Sequence, residues 1–176
     1  MNERKQPDPG AMATALPGHS APNASFEAPL EMLGACHHRI ERQCTTLRRL
    51  FEHLDGQGAD EQARAAAAAV MRYFDSAAGH HHADEEQDLF PALIESMAGS
   101  DAVCLRGLID GLVAEHRELE RHWQRVRIQL ERVLAGDATA LTATAVEALV
   151  RLYEQHIERE ERELLRACWA TLRYCK

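Results

Sequence analysis

Four histidines and two glutamates stand at intervals suited to holding a cation: His37, His81, Glu85, His116, His156 and Glu160. His81 and Glu85 are four residues apart in HHHADEEQDLFP (80–91), and His156 and Glu160 repeat that interval in HIEREERELL (156–165). Residues four apart share one helical face, so each pair can offer an imidazole nitrogen and a carboxylate oxygen to the same point. All six lie on apolar stripes. Buried without partners they would cost several kcal/mol in desolvation, so they must pair with one another or with a metal, and metal binding is the expectation.

Their heights match as well. Two residues of an antiparallel helical hairpin face each other when the turn lies midway between them, because each helix climbs ~1.5 Å per residue. The midpoint of His37 and His81 is residue 59, that of His81 and His116 falls between 98 and 99, and that of His116 and His156 is 136. Each midpoint falls in a stretch that reads as a turn. The four histidines are therefore expected to converge at one level of a bundle interior.

The donor set narrows the metal. No cysteine is in register to complete a thiolate site, and six nitrogen and oxygen donors suit two adjacent octahedral ions better than one tetrahedral zinc. If Glu85 and Glu160 each bridge, the chain fills about eight of roughly twelve positions, and a shared oxo or hydroxo bridge fills two more. About two positions then stay open. Two glutamates offset only half the charge of two divalent ions, which leaves room for an anionic ligand.

Four helices must position these residues. Leu30, Leu33, His37, Ile40, Cys44, Leu47 and Phe51 recur at spacings of three and four up to DGQGAD (55–60). The second helix starts near Ala59 and carries Val70, Phe74, Ala77, His81 and Glu85, with Pro91 expected to kink it before MAGSD. The third carries Leu112, His116, Leu119, Trp123, Val126 and Leu130, and the fourth Ala145, Leu149, Leu152, His156 and Glu160. Short connections between long helices predict an all-α, up-down-up-down antiparallel four-helix bundle. The chain also repeats: HHADEEQDLF (81–90) matches HIEREERELL, and HHRIER (37–42) matches HRELER (116–121), so two similar hairpins related by an approximate twofold are expected.

Several neighbours compete for the same roles. His82 with Glu86 has the spacing of His81 with Glu85 on a less apolar face, and His38 is the runner-up to His37. Glu41 and Glu120 follow His37 and His116 by four, and read as solvated partners of nearby arginines or as acceptors for an imidazole N–H. His19, His53, His80 and His122 read as surface residues, Tyr73 and Tyr153 as core with a possible hydroxyl toward the site, and Cys36 as a thiol beside His37.

With 176 residues and 45% hydrophobic content, one well-buried domain is expected, over 26–176, preceded by an arm (1–25) rich in proline and without periodicity. Aromatic residues make up only 5%, and runs of β-branched residues are scarce, which favours helices over a sheet. A net charge of −8 with no basic block argues against nucleic acid and anionic membranes as partners. No stretch has the length and apolarity of a signal peptide core or a membrane span, and a cytoplasmic location is expected. Five cysteines without C-x-x-C spacing read as reduced, mostly packed thiols.

Together these residues resemble the hemerythrin HHE cation-binding family: a histidine on helix one, HHxxEExxLFP on helix two, EHxxL on helix three and HxxxEE on helix four, over about residues 28–166. The resemblance implies a non-haem di-iron centre in a four-helix bundle. By position, His37, His81, His116 and His156 would be terminal ligands, with Glu85 and Glu160 bridging an oxo- or hydroxo-linked iron pair. It also implies oxygen, nitric-oxide or redox sensing through a small diatomic or peroxide ligand, or else iron handling, peroxide reactivity or iron–sulfur cluster repair. A binding or sensing module is expected over an enzyme.

The chain departs from the oxygen-carrying members on helix three, where their fifth histidine belongs to an H-x-x-x-H pair. Here Leu112 stands four residues before His116 and Glu120 four after. That departure implies a less saturated pair, suited to reaction or nitric-oxide binding. The cluster-repair relatives share four histidines and two glutamates but carry a small cysteine-bearing domain ahead of the bundle, and residues 1–25 contain no cysteine. Ferritin-like sites use E-x-x-H pairs, a spacing absent from these stripes.

Overall fold

Stripes of apolar residues at helical spacing fold here into helices and nothing else. The computed structural model describes residues 27–96 and 100–174, with side chains over 32–96 and 103–164, and holds no strand among the described residues. Helix α1 is Glu27–Gln57, α2 spans residues 61–96, α3 is Ser100–Leu134 and α4 is Ala143–Tyr174. The arm expected over 1–25, with His19, lies outside the described residues, as do the side chains of Leu30, Cys168 and Cys175.

The turns have local causes. Gly58 (φ 76°) and Gly136 (φ 97°) adopt the left-handed conformation that ends α1 and α3, at a cost most side chains would resist. The Gly58 N–H donates to the Leu54 carbonyl, and the Asp137 N–H to that of Arg132. Asp60 then caps α2, its carboxylate accepting from the Ala63 N–H at 2.8 Å, and the Thr142 hydroxyl accepts from the Ala145 N–H at the start of α4.

Each long helix packs on two others, α1 and α3 both lying against α2 and α4. Ala63 and Ala67, fully buried in the alanine-rich start of α2, let its neighbours approach closely. The larger apolar cluster takes Leu47, Leu50 and Leu54 from α1, Val70 and Phe74 from α2, Val126 and Leu130 from α3, and Leu149 and Val150 from α4. A smaller one gathers Phe90, Leu93, Leu105, Ile109, Leu112 and Leu164. Between them in sequence stand the buried polar residues of the described chain: His37, His81, Glu85, His116, His156 and Glu160.

Helix α2 departs from the expected stripe. Phe74–Ala78 and Glu85–Leu89 are wide, π-helical turns on either side of the regular segment Gly79–Asp84. Each wide turn holds one residue more than an α turn, so Ala77 is exposed and Ala78 is buried in its place. Pro91, expected as a kink, follows the second wide turn directly, and the helix continues to Ser96. Cys44 is packed and its thiol pushed up to about 12 by burial, Cys36 is half-buried, and Cys104 is exposed, against the expectation of packed thiols. No helix among the described residues is long and apolar enough to cross a membrane.

Candidate metal centre

The polar layer brings all six expected residues together, one or two from each helix. Ligand-competent atoms of His37, His81, Glu85 and Glu160 lie within 4.8 Å of one another, and so do those of His82, His116 and His156. The groups join through Glu85, whose oxygens are 3.1 Å from His81 Nε2 and 3.2 Å from His116 Nε2, and through Glu160, 3.1 Å from His37 Nε2 and 3.6 Å from His156 Nε2. Glu85 and Glu160 are 2% and 0% exposed. Each carboxylate thus touches a histidine of its own helix and one of a neighbouring helix.

Carboxylates outside the layer fix which nitrogen faces inward. His37 Nδ1 is 2.9 Å from Glu161, His116 Nδ1 is 2.8 Å from Glu86, and His156 Nδ1 is 3.0 Å from Glu115. A carboxylate only accepts, so Nδ1–H donates in each case and Nε2 faces the interior, as a lone pair on the neutral rings of His116 and His156. His116 Nε2 and His156 Nε2 then face each other as two acceptors 3.2 Å apart, and His37 Nε2 faces a Glu160 oxygen. Both Glu85 oxygens, one Glu160 oxygen and the Nε2 atoms of His81 and His82 are buried with no aligned hydrogen-bond donor, despite contacts near 3.1 Å. Acceptors aimed at a common space need cations there, and nitrogen and carboxylate donors without thiolate suit iron-like divalent ions. The residues present fit such ions.

Protonation follows the same logic. Burial, then the charge of Glu160, push the Glu85 carboxyl up, while Glu160 is held low because its contact with His37 and the fields of the histidines outweigh burial. Burial lowers His81 to about 4 and His82 to about 2, and also lowers His116 and His156. Burial opposes protonation of His37 too, but Glu160 and Glu161 on its two nitrogens raise its pKa. Without metal, His37 is the ring that takes a proton.

The competing residues separate cleanly. His38 is exposed and pairs with Glu41 at 3.2 Å, and Glu120 accepts from Gln124, so neither glutamate reaches an inward histidine. His80 is exposed, and His53 and His122 are half-buried beside Asp60 and Glu118. Tyr153 is core and Tyr73 packs at its edge. The His82–Glu86 pair divides: Glu86 turns outward to His116 and Arg117, while His82 turns in beside His116.

Sequence reasoning passed over Glu115 and Glu161, and weighed Glu86 only as a rival ligand beside His82. The signal for two of them was the doubled glutamate of each H-x-x-x-E-E repeat, whose first member faces inward and whose second grips a histidine of the adjacent helix. Under the same repeat the α1 residue that corresponds to Glu115 is Cys36. Cys36 lines a pocket of about 420 Å³ between α1 and α2, with Met32, Leu33, His81, Glu85 and Leu89. The pocket reaches two of the inward ligands.

Family comparison agrees with this geometry. The model of the hemerythrin HHE cation binding domain matches residues 28–168. The chain belongs to that family. A Haemophilus influenzae protein named only as uncharacterized is 31% identical over 138 residues, covering 78% of this chain and 77% of the relative. Within this hemerythrin-type chain, the side chain facing the smaller cluster one turn before His116 is Leu112, fully buried among hydrocarbon.

Proposed function

We propose that the protein holds two iron ions in this layer and senses or binds oxygen, nitric oxide or redox state through them. The observation that carries the reading is the convergence of Nε2 lone pairs and carboxylate oxygens from all four helices, with Nδ1 atoms anchored outside by Glu161, Glu86 and Glu115. His37 and His81 would hold one ion and His116 and His156 the other, with Glu85 and Glu160 shared. An iron pair so held supplies redox-active positions for a small diatomic or peroxide ligand. The chain's own part is to keep those positions dry and to fix the imidazole tautomers, and metal entry would release the proton of His37 to solvent. The cyclic packing of the helices supports the up-down-up-down order, and the acidic surface supports a partner that is a small molecule and not nucleic acid or membrane, within a cytoplasmic protein.

The pocket beside His81 favours a second reading, a peroxide-reactive or iron-handling protein, because about 420 Å³ admits more than a diatomic molecule. One experiment separates the two. Near-ultraviolet charge-transfer absorption of the anaerobically reduced protein should change on adding oxygen or nitric oxide and persist as a stable species in the sensing reading. Steady consumption of added peroxide without a persistent species would instead support the second.

A further inference from the structure

Seven side chains, not six, point into the polar layer. The Nε2 atom of His82 is fully buried and has no hydrogen-bond partner. The ring stacks on His116 with centroids 4.0 Å apart and planes 7° from parallel, and meets His156 edge-on at 5.9 Å, so its in-plane lone pair meets that of His116 only when the His82 ring turns out of the stack. One of its nitrogens lies within 4.8 Å of the ligand atoms of His116 and His156. If the ring served only packing, a phenylalanine or leucine would do so without burying an unpaired polar nitrogen.

Adjacent helical residues differ in direction by about 100°, so two neighbours can straddle the line from α2 to the bundle centre. His81 faces His37 of α1 at 5.3 Å between centroids, and His82 faces His116 of α3. The internal repeat shows that this arrangement is one-sided: where α2 has His81–His82, α4 has His156 followed by Ile157, which is buried hydrocarbon.

We propose that His82 is the third imidazole ligand of the ion held by His116 and His156, taking from helix two the role that Leu112 cannot fill on helix three. The inference rests on the metal reading above. With three nitrogens and two shared carboxylates, that ion receives five donors from the chain, whereas the ion at His37 and His81 receives four. The two are inequivalent. The less saturated ion is the one whose ligands, His81 and Glu85, line the pocket between α1 and α2, and an external ligand enters there.

Anaerobic titration with ferrous iron and a competing chelator tests this on the wild type, His82→Ala and His82→Leu. Thermal unfolding of each metal-free protein is followed alongside. The wild type should bind about two ions per chain, and each variant should keep one and bind the other at least roughly 100-fold more weakly. Metal-free His82→Leu should melt at or above the wild-type temperature, since it keeps the packing and removes an unpaired buried nitrogen, so that its loss of one ion is not a loss of fold. Two ions bound with unchanged affinity in both variants would overturn the role of His82 and leave the metal reading standing. A wild type that binds no stoichiometric iron would overturn the metal reading, and the role of His82 with it.

Discussion

A buried histidine is a better ligand when something outside holds its far nitrogen, and for His37 and His116 that task falls to the second glutamates of the repeat. Glu161 and Glu86 receive Nδ1–H from His37 and His116, and Arg117 steadies Glu86 in turn. Replacing either with glutamine keeps the shape but weakens the acceptor. Glu86→Gln and Glu161→Gln should each lower metal affinity roughly 10- to 100-fold in chelator competition. Glu41→Gln, on an exposed residue that faces His38, should leave it unchanged.

Acid acts on the same side chains. Unfolded, His81 and His82 titrate at the ordinary histidine value of 6.5; folded, burial keeps them neutral down to about 4 and about 2. Below 6.5 the unfolded chain therefore binds more protons, so stability is whole above that pH and is lost as the pH falls toward the folded values. His37 and Glu85, both raised, work the other way, but His116 and His156 are lowered as well, so four rings stand against two groups. Metal-free protein should unfold at lower urea concentration at about pH 5 than at about pH 7.5. An equal or higher midpoint in acid would contradict the dominance of the four neutral rings over Glu85 and His37.

At the scale of elements, helix α2 is built differently from the other three. Its two wide turns bracket Gly79–Asp84 and set the direction in which His81 and His82 point. In the first turn Phe74 packs on Trp123 at 4.8 Å and Tyr153 at 5.4 Å, while Asp75 accepts from the Trp123 indole N–H and from Arg127. The wide turn takes up one extra residue, so deleting Ala77, which is exposed, would return it to α spacing and leave His81 and His82 at nearly their present angle. The deletion should preserve both helical circular dichroism and stoichiometric metal binding; a variant that loses its metal would show that the shape of the wide turn, and not only the phase it sets, aims the histidines.

This helix also marks where sequence legibility ends. Stripes at spacings of three and four identified the helices, and matched midpoints placed His37, His81, His116 and His156 at one level, because helical rise is the same for any sequence. A wide turn has no such period. Hence Ala77 was expected inside where Ala78 is found, and His82 was weighed as a rival of His81 when both rings point inward. The outward glutamates were hidden for another reason: Glu86, Glu115 and Glu161 act across helix pairs, and a pattern within one helix cannot show what a neighbour will meet.

At the scale of the whole molecule, a layer of like-facing acceptors interrupts an otherwise apolar core. Apolar side chains on either side hold the helices together whether or not the layer is filled, so the larger cluster should govern folding and the layer should govern loading. Leu130→Ala, in that cluster and fully buried, should cost about 2–5 kcal/mol of stability in urea unfolding yet leave the metal content per folded chain unaltered. Chelation should do the converse, lowering the melting temperature of intact protein while helical content persists at low temperature, because binding free energy adds to folding free energy.

The central claim is that side chains from four helices jointly hold a pair of ions, and elemental analysis of anaerobically purified protein tests it most directly. Wild type should carry about two iron per chain, with His81→Ala and His156→Ala each falling steeply although both remain helical. Wild-type protein without stoichiometric iron after anaerobic reconstitution, or variants that load as fully as the wild type, would contradict it.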